Sequence, residues 1–362
     1  MDVRRYGELD ESFSLIFLKK VTMPETNREP TFLEFLPVSL FGAIMGMTGL
    51  SFSWGWAEKA WGMPTWIKNV TGGIALVAFV VLTITYLFKW MKYAALVRKE
   101  FQHPVSVSFF ATFIISLLLI PGIILPYSVE GATIIWSIGA ILMFLFSWFV
   151  LRKWFDHRQE PVNAMPAWVI PIVGTLDVPI VGYRLPITGI HEICLVFFGI
   201  GIVFSIILLT IIINRLLFQE PLPEVLQPTL LILVGPFALA FSGYQTLTGL
   251  QDLTASVFFY FDLFLLLILG SKIFLLPACC PFRVTWWAVS FPLVAFTIAA
   301  FRYTSHKHAI IFQFISGAML FISTVTILYL FIQTLYKIAT GRLLLKTPSA
   351  EKATQLLEPV GK

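Results

Sequence analysis

TWWAVSFPLVAFTIAAFRY, residues 285–303, is the stretch on which the reading of the whole chain turns. It is apolar and close to the length that crosses a hydrocarbon core of about 30 Å. Yet Phe291-Pro292 stands in its middle. Proline lacks an N–H and crowds the carbonyl four residues before it, so a helix alone in lipid should avoid it. A helix inside a bundle tolerates it where neighbours or a cavity satisfy the loosened backbone. Phe291 therefore has two readings: a core ring beside a kink, or a plug across an internal path.

Composition sets the class. Of 362 residues, 58% are hydrophobic and 12% charged, and the mean hydropathy is +0.86. A soluble domain carries about a quarter charged residues, so the expectation is an integral membrane protein surrounded by lipid bilayer along nearly its whole length. The formal charge of +5 follows membrane topology, as shown below, and does not point to nucleic acid. Three cysteines, two of them adjacent (Cys279, Cys280), form neither a disulfide framework nor a metal pattern. No metal and no cofactor are implied. The search for catalysis is also empty: there is no nucleotide-binding glycine loop, no HExxH pair, no paired catalytic carboxylates and no serine–lysine dyad. The expectation is a protein that is not an enzyme.

Ten apolar segments of spanning length follow one another: 32–54, 67–90, 104–126, 129–151, 166–183, 190–217, 227–249, 252–276, 285–302 and 309–336. The fifth is the shortest. The chain divides into a polar arm at 1–30, a membrane domain at 31–345 and a polar tail at 346–362. The arm shows no cleavable signal; residues 8–21 read as a surface-lying amphipathic helix or as plain disorder. Twenty of the 25 Lys and Arg residues fall on one side, in both tails and after the second, fourth, sixth and eighth segments. The other side holds Lys59, Lys68, Arg184, Arg302 and Lys307. The positive-inside rule places both termini in the cytoplasm, in a plasma (inner) membrane protein.

Odd and even segments differ in a repeated way. Odd ones carry prolines at or near their cytoplasmic entry or well inside: Pro37, His103-Pro104, Pro166 and Pro171, Pro228 and Pro236, and Pro292. Even ones are smooth runs such as LVFFGIGIVFSIILLTIII that end in a basic residue. Each odd–even pair is joined by a short outer loop, which makes five copies of one helical hairpin. Proline-broken helices belong inside and smooth Leu/Ile/Phe helices against lipid. The fold class expected is all-α integral membrane, ten transmembrane helices as five hairpins in quasi-five-fold arrangement, with the odd helices lining a central pore. Pro37, Pro171, Pro236 and Pro292 are its expected kinks.

The sequence resembles the TehA tellurite-resistance proteins and the plant slow-type anion channels, a group that includes dicarboxylate and sulfite permeases. The matching pieces are HPVSVSF (103–109), MPAWVIPIVG (165–174), LILVGPFALAF (231–241), WWAVSFPL (286–293) and LYKIATGRL (335–343), in order over about residues 30–345. The resemblance implies the same ten-helix fold, a homotrimer, and a pore occluded by the phenylalanine of WW-x-x-x-F-P, which falls on Phe291. One departure stands out: the bacterial pattern leads one to expect a proline near Ile114, and the chain has Pro121 instead.

The odd segments offer small and hydroxyl residues as pore lining: Ser39, Gly42, Gly46, Ser108, Thr112, Gly174, Gly235, Ser290 and Thr297. There is no acidic ring and no carbonyl-filter motif. A neutral lining behind a basic mouth favours inorganic anions, ordered by dehydration cost. The chain is thus expected to be a passive chloride- or nitrate-type channel gated by Phe291. The alternative is a secondary carrier for dicarboxylate, sulfite or tellurite-related anions. A proton-coupled carrier needs an intramembrane acid, and Asp177 and Asp262 are the two candidates; the plainer reading of each is a paired or neutral carboxyl.

Overall fold

The computed structural model describes residues 32–279, 282–307 and 309–341. The arm at 1–30, with its expected surface helix, and the tail at 346–362 lie outside the described residues, as do Cys280 and His308. The described residues form helices and connecting turns, with no strand among them. Among the described residues, nine helices are long and apolar enough to cross a membrane. We label the principal elements α1 (Val38–Trp61), α2 (Thr65–Lys92), α3 (Ser106–Ile124), α4 (Val129–Asp156), α5 (Pro166–Gly182), α6 (Ile190–Phe218), α7 (Glu224–Thr248), α8 (Leu253–Cys279), α9 (Val284–His306) and α10 (Ile310–Ala339).

α5 is the short one, and its length is recovered by winding. It alternates 3-10 and α turns: Pro166–Val169 and Gly174–Asp177 are 3-10, Ile170–Val173 and Val178–Gly182 are α. A 3-10 turn rises about 2.0 Å per residue against 1.5 Å for α, so α5 extends to roughly 30 Å. The same device recurs in every odd element. Each opens with a 3-10 segment and passes into α-helix: at Phe41 in α1, Phe110 in α3, Ile170 in α5, Gly235 in α7 and Ser290 in α9.

Three of the four prolines expected to mark kinks stand just inside these junctions. Pro171 and Pro236 each stand second in an α-helical piece, and Pro292 stands third. There a missing N–H costs little, because the first turn has few partners to lose. Pro37 differs: it lies ahead of α1 in extended backbone, φ −84° and ψ 145°, in the gap between the helical turn Phe32–Phe35 and Val38, not within a spanning helix. In α3 the α-helical run Phe110–Leu119 is continuous, and Pro121 opens the last short turn.

Burial separates inside from outside. The apolar windows of α1, α3, α7 and α9 are 72%, 67%, 83% and 72% buried, and those of α2, α4, α6, α8 and α10 run from 17% to 33%. In α5 every residue from Pro166 to Pro179 is buried. The odd elements touch in a closed cycle: α1 packs on α3, α3 on α5, α5 on α7, α7 on α9, and α9 back on α1. Even elements lie outside, α2 on α1, α4 on α3, α6 on α5 and α7, α8 on α7, α10 on α9. Their outward faces show Val77, Val81, Ile141, Phe264 and Phe321, apolar groups suited to hydrocarbon and not to water.

Two details fix this packing. α1 ends at Gly62, whose φ of 66° only glycine adopts freely, and the chain turns through Pro64 into α2. Beside the start of α1, Glu100 of the short helix Ala94–Gln102 joins three partners. Its carboxylate accepts from Val38 N (2.8 Å), Tyr86 Oη (3.0 Å) and Lys89 Nζ (3.0 Å), and Lys89 also donates to Leu36 O. Lys89 is nearly buried, so Glu100 both caps the start of α1 and neutralises a cation held inside.

Candidate functional site

A closed cycle of five helices leaves space on its axis. A cavity of about 60 Å³ is lined by residues of α1, α3, α5, α7 and α9 together, room for only a few waters. Its residues recur at near three-residue steps on each element, and so fall into three sets. Ser39, Phe109, Ile170, Ile232 and Thr285 form the first; Gly42, Thr112, Val173, Gly235 and Ala288 the second. Met45, Ile115, Asp177, Leu239 and Phe291 form the third. A second space of about 280 Å³ shares Ser39, Phe109 and Thr285 with the first and adds Glu100, His103, Ser106 and Arg283. The first set therefore faces this vestibule, and Phe291 lies in the set farthest from it.

Local sequence explains why the phenylalanine is there. Trp286 and Trp287 are both buried, and Trp287 Nε1 donates to Thr334 Oγ1 of α10 at 2.9 Å. That bond and the 3-10 winding of Val284–Val289 orient the start of the α piece. Pro292 has no N–H to offer the carbonyl of Ala288, itself a lining residue. Pro236 stands in the same relation to Ile232. The Phe291 ring is half-buried, packed on the core and edging the cavity.

Of the residues expected to line a pore, Ser39, Gly42, Thr112, Gly174 and Gly235 border the cavity. Four others do not, and each has a reason. Gly46 faces Ser290, where α1 and α9 approach so closely that a Cβ would stand 2.6 Å from Ser290 Cβ. Ser290 turns its hydroxyl to Trp287 O. Thr297 bonds Leu293 O and the hydroxyl of Ser323 on α10. Ser108 is fully buried outside the cavity lining. The hydroxyls that do border the space are partly committed as well: Thr112 Oγ1 donates to Phe109 O at 2.6 Å and Thr285 Oγ1 to Val225 O at 3.0 Å. Hydroxyl donors are thus scarcer along the path than composition suggests.

Asp177 lines the cavity and is fully buried. Neither of its carboxyl oxygens has a hydrogen-bond partner among the described residues, so it does not pair with Arg184. Among the described residues it is the only ionisable side chain in the lining. Asp262 is equally buried and unpartnered among the described residues, but it sits on α8 away from the cavity. In the vestibule, His103 Nδ1 accepts from Val105 N (3.3 Å) and Ser106 N (3.2 Å), capping the entry of α3. Burial, then the nearby Lys99, holds its pKa below the usual histidine range.

Sequence reading missed the apolar lining, Met45, Ile115, Val173, Ile232 and Leu239. For Met45, Ile115 and Ile232 the three-residue spacing from Gly42, Thr112 and Gly235 was the signal that could have found them.

A multi-pass membrane protein with a small, nearly uncharged cavity on the axis of its buried helices belongs to the class of channels and transporters. Its lineage is specific: the chain belongs to the voltage-dependent anion channel (SLAC1) family, whose model matches residues 36–335. That family is one of channels and transporters, not of enzymes. The chain is 27% identical to the S-type anion channel SLAH2 of Arabidopsis thaliana over 320 residues, 86% of this chain and 60% of that protein. It is 24% identical to the guard cell S-type anion channel SLAC1 of the same plant, over 87% of this chain and 58% of that protein. The tellurite resistance protein TehA homolog of Haemophilus influenzae is 27% identical over 92% of this chain and 99% of its own length. The chain thus spans little more than half the length of the plant relatives and nearly the whole of the bacterial one.

Proposed function

We propose that this protein is a passive channel for small monovalent anions of the chloride and nitrate type, closed by the ring of Phe291. Ten spans form five hairpins, α5 completing the set, with the odd helices around the pore, both termini in the cytoplasm of a plasma (inner) membrane, and three chains to the assembly. The observation that carries the reading is the axial cavity, bordered by all five odd elements and edged by Phe291. The names of the S-type relatives support anions as the conducted class.

Among the described residues the lining holds no cation with which to bind an anion tightly. Selectivity then rests on the cost of dehydration in a narrow apolar passage, and nitrate or iodide should pass more readily than chloride. A secondary carrier for dicarboxylate, sulfite or tellurite-related anions remains the second reading, favoured by one group, the intramembrane Asp177. Reversal potentials of the purified protein in planar bilayers under a chloride gradient separate these readings. Anion-selective unitary currents that ignore a proton gradient support the channel. Cation permeability equal to anion permeability refutes it, and saturable uptake without unitary currents favours the carrier.

A further inference from the structure

Phe291 has a charged counterpart three turns further along its own helix. α9 is unbroken α-helix from Ser290 to His306, α1 from Phe41 to Trp61 and α7 from Gly235 to Thr248. Eleven residues of α-helix return to the same face within about 20° and advance about 16 Å. The faces that bring Phe291, Met45 and Gly235 to the cavity therefore carry Arg302, Trp56 and Thr246 beyond it, at the end away from the vestibule. These three meet. Arg302 Nη2 donates to Thr246 Oγ1 at 3.0 Å, and Arg302 Cζ lies 5.7 Å from the centroid of the Trp56 ring. The line from the vestibule past Phe291 thus ends at a guanidinium.

That cation is oriented but not neutralised. Its Nε donates to Gln245 Oε1 at 3.0 Å, and Gln245 is itself buried, so α7 holds the planar group in place. Thr246 gives its own hydrogen to Ser242 O. Among the described residues no carboxylate lies within ion-pair distance of Arg302. Glu58 of α1 is taken by Lys68, and Asp252, ahead of α8, by the Tyr244 hydroxyl. A guanidinium has five N–H donors, and two of them have partners among the described residues. The amide chain that begins at Arg302 ends in a further donor: Gln245 Nε2 donates to Gln251 Oε1, and Gln251 Nε2 is buried with no partner among the described residues. Lys59 adds a second cation, 5.1 Å from the Trp56 ring centroid. Donors outnumber acceptors in a partly buried place, where an unmet donor is most costly. An anion supplies both the missing acceptor and the missing charge.

We propose that Arg302 anchors an anion-binding site at the far mouth of the axial passage, taking small monovalent anions such as chloride or nitrate on its free N–H groups. The proposal deepens the anion-channel reading above and rests on it for the class of ligand. Arg302 concentrates anions at the mouth, and the apolar cavity beside Phe291 sorts them by the cost of dehydration. A conducting path requires binding weak enough to release the ion, and a single partly solvated guanidinium provides that.

Two measurements test this, and they fail separately. In the Phe291→Ala background, single-channel conductance is measured in about 0.01 M and about 1 M chloride, where charges act over about 30 Å and about 3 Å. Arg302→Gln is expected to lower conductance about fivefold at the low concentration, the factor that one unit charge at about 4 Å contributes in water. At the high concentration it is expected to match its parent, and Arg302→Lys is expected to keep most of the low-salt conductance. No loss at low salt, a loss equal at both concentrations, or an equal loss in Lys59→Gln overturns the proposal while sparing the channel. The second measurement needs no current and leaves Arg302 in place. Iodide quenching of Trp56, taken as the fluorescence difference between wild type and Trp56→Phe at constant ionic strength, is expected to saturate and to be competed by nitrate, with caesium without effect. A linear curve indifferent to nitrate, or quenching by caesium as strong as by iodide, overturns the proposal. If Phe291→Ala conducts at neither concentration, the permeation reading falls, and the quenching result alone decides the site.

Discussion

Two glycines one turn apart on α1, Gly42 and Gly46, should respond oppositely to the same added methyl. At Gly46 a Cβ would stand 2.6 Å from Ser290 Cβ, 0.4 Å inside the 3.0 Å limit of real Cβ contacts, and closer still to Ser290 Oγ. The hydroxyl can swing away only by giving up its 2.7 Å bond to Trp287 O, a loss of about 1 kcal/mol. The Cβ cannot swing, so α1 and α9 must part, at about 1–3 kcal/mol for an overpacked core. Gly46→Ala should therefore cost about 2–4 kcal/mol and lower Tm by roughly 4–10 °C. At Gly42 the new methyl meets Trp287 Cβ at 3.8 Å, ordinary contact, so Gly42→Ala should keep stability within about 0.5 kcal/mol. It nevertheless narrows the cavity, because Gly42 is a lining residue and Gly46 is not. The assay is heating in detergent followed by size-exclusion with tryptophan fluorescence, beside anion flux for each variant. If Gly46→Ala melts with the wild type, or Gly42→Ala melts as early as Gly46→Ala, the helix register argued here is wrong.

Other expectations concern the end of the bundle where α1 and α3 begin. Glu100→Ala strands the nearly buried Lys89 ammonium and uncaps Val38 N, which should cost about 2–4 kcal/mol. The double variant Lys89→Met/Glu100→Gln should recover part of that loss in a chemical-denaturation cycle, and full additivity would show that the pair does not interact. His103 has a folded pKa below its unfolded value, because burial disfavours the imidazolium and Lys99 repels it. Its contribution is present above the unfolded value, near 6.5, and is lost as pH falls through the lowered folded value. Hydrogen exchange at Val105 and Ser106 should then accelerate on acidification in wild type and show no such step in His103→Asn; equal acceleration in both would remove the cap from the account.

The fold was legible to an unusual depth because lipid makes it so. With no water in the bilayer, each segment has to be a helix, and prolines have to gather where a neighbour or cavity tolerates them. That is why Pro171, Pro236 and Pro292 marked the buried elements by inspection. Less legible was what each proline does. Pro37 lies outside its helix, and the others mark a change from 3-10 to α winding that no hydropathy pattern encodes. The site was read by residue type, and type alone misled: Ser290 and Thr297 look like lining, but rotation about the helix axis sends them to Trp287 and Ser323. Facing is set by close approach, as at Gly46 against Ser290, and one sequence does not display which glycine meets which neighbour. Asp177 stood out as an intramembrane acid. Its place in the same set as Phe291 came only from the assembled lining.

The central claim is that the axial cavity is the anion path and that Phe291 shuts it. Current through single purified assemblies of Phe291→Ala, set beside wild type in symmetric chloride, tests this most directly. The account predicts a large rise in open-channel anion current with Tm and expression close to wild type. A well-folded Phe291→Ala protein that conducts no more than wild type would contradict it.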